Sequence, residues 1–302
     1  MIFGLRDVIR GDFDVVHIHG VGPAFVLLIW PFRKRKSRVF VTAHGLDWER
    51  RKWPRAAGWL FRKISVAALR RADALSAVSA PTADRLGEIV GKPVRVISNG
   101  ISLPVLPLPR PGLPSKYSVV VSRLTPEKNI EAVLRAYGPD LAEVIGPLLL
   151  VGGGSASYSA DYERQLRELG GPHVQWLGVL PRHQTLAVVS RATVSVSMSR
   201  TEAQPMAVIE AAALGVPLIL SDIPEHRAVG LDAAVYVSPD SPQQLAEALR
   251  AVDQIDRSAV ERNAREWCDR DWRAVAEDYR KWFLETTAEG AQHLQVKRMA
   301  AK

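Results

Sequence analysis

Two carboxylates and two cations carry the clearest chemical spacing in this chain. Glu202 and Glu210 stand eight positions apart in Ser199 to Asp222, SRTEAQPMAVIEAAALGVPLILSD. Glu202 falls in a polar loop after an apolar strand. Glu210 falls one to two turns inside a helix of small residues that breaks at Gly215 and Pro217 before a second strand, PLILS. A carboxylate in such a helix is costly unless something hydrogen-bonds to it, and the loop sits where a helix N-terminus can face a phosphate or a sugar. Arg123 and Lys128 lie five residues apart in SRLTPEKN, a loop joining a strand to a helix. Together they can converge on one diphosphate, Arg as a fork and Lys as a point charge. That would stabilise charge building on a departing nucleoside diphosphate without a metal. The plain alternative stays open for each: surface ions paired locally through Glu127, a capping role for Glu202, a half-exposed Glu210.

Histidines and the single cysteine add less. His44 closes the run RVFVTAHG and, taken alone, fits a satisfied polar group at a strand end. His17 and His19 flank a strand; with no nearby cysteine or second histidine pair they read as structural rather than as a metal pair. Cys268 stands alone, which excludes an internal disulfide and a cysteine metal cluster and fits a reducing compartment.

The elements that must position these residues alternate strand and helix. DVVHIHG, RVFVTAHG, ALSAVS and VRVIS read as strands in the first third, with helices over residues 54–71 and from Pro81. Residues 103–114, LPVLPLPRPGLP, read as an inter-domain linker. The alternation then restarts through YSVVVSRL, PLLLVGGG, VQWLGVL, TVSVSM and AVYVSP. From Ser241 the chain is helical, with a break near Asp256. The fold class is therefore α/β, two Rossmann-like doubly wound domains in series. Residues 1–105 form the first, 106–256 the second, and 257–302 a helical segment expected to pack back on the first. Ligands of open α/β sheets bind beyond the carboxyl ends of the strands, where every polar cluster named here falls, so a cleft between the two domains would collect them.

The 302 residues are 47% hydrophobic and 24% charged, as in ordinary globular proteins. The longest apolar run, PAFVLLIWPF, is too short to span a membrane, and the first residues carry no signal-peptide pattern. A net charge of +8 calls for an anionic partner. The basic residues cluster in RKRKSR and in Trp48 to Lys63, where Trp48, Trp53, Trp59 and Phe61 interleave with cations. An anionic membrane surface favours that mixture. Nucleic acid is not expected, because charge alone argues for it.

SRLTPEKNIEAVLRAY, LLLVGGG, VQWLGVLPR and the glutamate segment occur in that order. Together they resemble the donor-binding half of family 4 glycosyltransferases, retaining enzymes of the two-domain GT-B fold. ADALSAVS, VRVISNGI, VHIHGVGPAF and VTAHGLDWERRKW resemble the first half, in the subgroup of bacterial rhamnosyltransferase-like enzymes of surface-polysaccharide synthesis. The resemblance implies that Arg123 and Lys128 bind the donor diphosphate and that Glu210 accepts from the ribose hydroxyls. It implies that Glu202 and the loop Ala203, Gln204, Pro205 and Met206 hold the donor sugar, and that main chain near Val179 and Leu180 edges the base. It also implies that His44 reaches the sugar from the acceptor side. Partners would be a nucleotide sugar and a glycan or lipid-linked acceptor at the cytoplasmic membrane face, with no cofactor and no metal. Two departures stand out. Ala203 and Pro205 replace the usual glycines, and Pro205 has no N–H to offer. The first domain lacks its usual opening strand, glycine loop and helix, so it is expected to be incomplete, or completed by another chain. A silent nucleotide-binding remnant and a nucleotide-sugar 2-epimerase are the alternatives.

Overall fold

The computed structural model describes residue 8 and residues 11–30, 37–49, 55–106, 112–154 and 160–300, with side chains through residue 287 except at 55 and 160. The basic run at 33–36, residues 50–54 of the basic aromatic stretch and residues 107–111 of the linker lie outside the described residues. The chain divides into two compact units, one made of residues 1–100 with 272–302 and the other of residues 101–271.

In the first unit, β1 (Val15–His19), β2 (Arg38–Ala43), β3 (Ala74–Ala77) and β4 (Val94–Val96) pair in that order, all parallel. Parallel sheets are covered on both faces, and the alternation along β2 shows it. Val39, Val41 and Ala43 turn to a core with Leu27, Trp30, Leu69 and Leu86. Phe40 turns the other way, onto Ile97, Val275 and Trp282. That second layer is the long helix Trp272–Ala300, the last element of the chain. The Phe40 and Trp282 rings lie 4.8 Å apart at 76°, the edge-to-face geometry aromatic pairs prefer. The short apolar run after β1 is helical in part, Val26–Ile29, which its length and lack of polar punctuation did not disclose.

In the second unit six parallel strands take the order β10-β9-β8-β5-β6-β7. They are β5 (Ser118–Val121), β6 (Leu148–Val151), β7 (Val174–Gly178), β8 (Val194–Ser197), β9 (Leu218–Ser221) and β10 (Val235–Val237). Each is short and apolar because helices cover it on both faces. The chain winds outward from β5 through β6 to β7, returns beside β5 as β8, and winds outward again. The sheet therefore reverses direction between β5 and β8, the topological switch point at which such sheets bind ligands.

The division differs from the sequence expectation at both borders. The second unit starts at Ile101, fully buried in its core, not near 106. Helix Arg257–Cys268 belongs to the second unit and packs on helix Met206–Ala213, burying Ala259, Val260 and Asn263. The amide of Ile101 donates to the carbonyl of Arg270 at 2.9 Å, so entry to and exit from this unit lie side by side. Helix Pro139–Ile145 also escaped the sequence reading, since a Gly-Pro dipeptide at its start is a turn signal rather than a helix one.

Trp282→Ala should cost about 3–5 kcal/mol of unfolding free energy, because it leaves a cavity against Phe40 that backbone cannot fill. A urea melt followed by circular dichroism checks it; a loss below about 1 kcal/mol would remove the helix from the core.

Candidate functional site

The switch point is built by two loops. After β5 the chain runs through Ser122 to Asn129, and after β8 through Ser199 to Pro205. Lys128 Nζ donates to Glu202 Oε1, a short contact between side chains only 16% and 12% exposed. Ser199 Oγ donates to the same carboxylate oxygen at 2.7 Å, and the amide of Arg200 donates to the Glu127 carbonyl at 2.8 Å. One lysine and one backbone bond thus fasten the loops across the gap where the sheet reverses, while the Ser199 hydroxyl braces the carboxylate from within its own loop. Arg123, by contrast, is 53% exposed, and among the described residues its side chain reaches only Glu127 Oε1, at 4.0 Å. It is the cation of this loop left open to a ligand.

The neighbouring loops are held by backbone. Leu124 N donates to Gly153 O at 3.0 Å and Gly152 N donates to Gly178 O at 2.8 Å. Gly152 sits at φ +136°, and a Cβ there would fall 1.8 Å from the Ser122 carbonyl oxygen. No other residue type fits that approach. Val179 is 79% exposed and lies over Gly153, while Leu180 packs on the core. Pro205 is buried and precedes helix Met206–Ala213, whose first residue, Met206, is half-buried. Ala203 and Gln204 complete the bend, each half-buried.

Glu210 has a partner of its own, Arg182. Its Oε1 accepts from Arg182 Nε at 3.0 Å and Nη2 at 2.7 Å, and Arg182 Nη1 reaches the Ser102 carbonyl at 2.7 Å. This resolves how a carboxylate is tolerated on a helix of small residues: a guanidinium compensates it. Sequence reasoning missed Arg182, because nothing local in VLPRHQ distinguishes it from a surface cation.

A second group missed lies beneath the Glu202 loop. His226 is fully buried in the short helix Pro224–Arg227. Its Nδ1 is 2.9 Å from the Ser221 carbonyl and 3.0 Å from Ser221 Oγ; its Nε2 is 3.4 Å from Ser197 Oγ. Burial holds its pKa below the usual histidine value, opposed by the bond to Ser221 and the Glu202 charge and reinforced by the Lys128 charge.

In the first unit His44 stands at the carboxyl end of β2, where its Nε2 is 2.9 Å from His19 Nδ1, with the rings 5.2 Å apart. One nitrogen must donate and the other accept, so His19, read from sequence as structural, partners the candidate residue. Burial, then the His19 charge, lowers the His44 pKa. His17 points under helix Trp272–Ala300, with Nε2 bonded to Thr42 Oγ1 at 2.7 Å and its ring 4.9 Å from Tyr279. Burial and the neighbouring His19 and His44 push its pKa down to about 4. Among the described residues no three histidine, cysteine, aspartate or glutamate side chains are arranged to hold a metal.

The sequence profile of the group 1 glycosyl transferases matches residues 111–267, just over half the chain. The chain belongs to that family. The profile of glycosyltransferase family 4 matches residues 1–104 of this glycosyltransferase. Glycogen synthase of Mycobacterium tuberculosis is 28% identical over 287 residues, 87% of this chain and 66% of that protein. The GDP-mannose:cellobiosyl-diphosphopolyprenol alpha-mannosyltransferase of Komagataeibacter xylinus is 24% identical over 298 residues, 90% of this chain and 72% of its own length. The chain thus spans about two-thirds of the length of the glycogen synthase. Among solved structures, sucrose-phosphate synthase of Thermosynechococcus elongatus superposes with a TM-score of 0.78 at 23% identity, over 95% of this chain and 77% of that one. Anabaena HepE in complex with UDP-glucose gives 0.74 at 16% identity, over 95% and 81%. These likenesses place the fold of the glycosyltransferase among two-domain Rossmann-like transferases.

The lowered histidines make stability fall in mild acid. A buried neutral histidine is charged only on unfolding, so its contribution is complete above the ordinary value near 6.5. That contribution is lost as pH falls from there toward the folded value, about 4 for His17. The melting temperature should drop between pH 7 and pH 5, and His17→Gln should flatten part of the drop. A melting temperature unchanged over that range in the parent protein would contradict the neutral, buried His17.

Proposed function

We propose that this glycosyltransferase moves a hexose or deoxyhexose from a nucleotide sugar to a glycan or lipid-linked acceptor, with retention of configuration. The observation that carries the reading is the Lys128–Glu202 pair bridging the loops at the switch point, with exposed Arg123 beside it on the same loop. Breaking the bond between the sugar's anomeric carbon and the diphosphate sends an electron pair to the phosphate oxygen. Arg123 and Lys128 meet that charge, the first as a fork from solvent and the second as a fixed ammonium. Glu202, held by Lys128 and Ser199, is aimed to accept from sugar hydroxyls next to the reacting carbon. Glu210, with Arg182 on one oxygen, offers the other to a ribose hydroxyl. Ala203, Gln204 and Met206 edge the sugar, and the exposed Val179 with Leu180 edges the base. His44 approaches the sugar from the acceptor side, and the acceptor oxygen closes the new bond as its proton passes to the departing diphosphate oxygen. Both curated relatives named above carry the names of a synthase and a transferase, which supports transfer over epimerisation.

Its acceptor is proposed to be an intermediate of surface-polysaccharide synthesis, as in the rhamnosyltransferase-like subgroup. Work at the cytoplasmic face of the membrane is supported by the exposed Trp59 and Leu60 beside Arg62 and Lys63 in helix Arg55–Leu69. Among the described residues no helix is long and apolar enough to cross a membrane.

Purified protein incubated with UDP-, GDP- and dTDP-sugars should release nucleoside diphosphate from one donor, with membrane extract as acceptor source. Arg123→Ala, Glu202→Gln and His44→Ala should each lower that release at least about 100-fold, the scale of a lost transition-state contact. Release should persist in EDTA, because the two cations supply the positive charge. Nucleotide binding weakened by Arg123→Ala, with no donor turned over, would leave a silent remnant; dependence on added divalent ion would remove the metal-free reading.

A further inference from the structure

The buried polar chain under the Glu202 loop has a direction that its proton inventory determines. Ser221 Oγ donates its only proton to the Ser199 carbonyl at 2.5 Å. The Ser221 carbonyl can only accept, so the contact at 2.9 Å requires the proton on His226 Nδ1. Ser221 Oγ, its proton spent, can likewise only accept from Nδ1 at 3.0 Å. Ser199 is then gripped at both ends: its carbonyl accepts from Ser221, and its hydroxyl donates to Glu202 at 2.7 Å. Ser199, Ser221 and His226 are all buried, at most 2% exposed, so losing one partner leaves a polar group unpaired in a site shielded from bulk water.

Resting on the reading of Glu202 as a donor-sugar contact, we propose that His226 is a positioning residue for Glu202, acting through Ser221 and Ser199. Fully buried, it is assigned no contact with ligand or reacting atoms. Its Nδ1–H holds Ser221, Ser221 holds the first carbonyl of the loop, and Ser199 turns the carboxylate toward the sugar. Lys128 fixes the same oxygen from the other loop. The consequence is a split between sugar and nucleotide: His226 serves the carboxylate that meets the sugar, not Arg123, which meets the diphosphate.

Two variants separate the ring nitrogens. Asn places an amide N–H near the Nδ1 position and keeps the donation to Ser221; Gln places its amide near Nε2 and loses it. His226→Asn should keep kcat within about 3-fold. His226→Gln should lower kcat at least about 10-fold, while the Kd of UDP or GDP alone stays within 2-fold. In the Glu202→Gln background His226→Gln should add little further loss, because the carboxylate it positions is already changed. Full kcat in His226→Gln, equal damage by Asn and Gln, or a parallel loss of nucleotide affinity would overturn the proposal. If Glu202→Gln leaves turnover intact, the sugar-contact reading itself fails. The ring then answers separately: an imidazole ¹⁵N–¹H spectrum, with His226→Asn as blank, should show the proton on Nδ1 in the parent protein. A proton on Nε2 would sink the chain of bonds whatever the activity.

Discussion

Where two parallel strands leave a sheet in opposite winding directions, the loops after them diverge and open a gap. In the second unit that gap is spanned by one ammonium–carboxylate contact, Lys128 to Glu202, set between side chains mostly shielded from water. Removing one member of a shielded pair strands the other charge, at a cost of about 3–5 kcal/mol, so the two loops are energetically one object. The backbone bond from Arg200 to the Glu127 carbonyl and the Gly152 approach to Ser122 align the flanking loops to that same bridge.

Much of this was legible in sequence. VVV, LLLV and VSVS announced strands buried on both faces, and Gly or Pro marked nearly every turn around them. The four charged candidates of the second unit, Arg123, Lys128, Glu202 and Glu210, could be placed on loops or a helix from sequence. What could not be read was who would meet whom. Lys128 and Glu202 are 74 residues apart, and Arg182 and Glu210 are 28 apart. Their pairing follows from the strand order, which local patterning does not encode. His226 was invisible for the same reason: PEHR looks like a polar turn until β8 and β9 lie side by side and close over it. The domain border failed differently. Arg257–Cys268 and Trp272–Ala300 read as one helical segment, 257–302, with no composition shift inside it, yet their apolar faces address different cores.

The histidines show how a shared location divides roles. His17 and His19 are two residues apart on one strand, so in a pleated strand the residues share a face. The first is sealed under Tyr279 and Phe283, and the second stays open to bond His44. Repulsion among the three rings, added to burial, keeps His17 uncharged near neutral pH, and an uncharged ring is what an apolar helix can cover.

That the final helix covers the first sheet also orders events during synthesis. The ribosome delivers β1 to β4 first, but the layer over Phe40 and Ile97 arrives only after the whole second unit has emerged. Until then the nascent chain carries an unsealed apolar sheet face, open to whatever binds such faces. The second unit has all its strands and its closing helix by Asp271 and can be complete before the first one is.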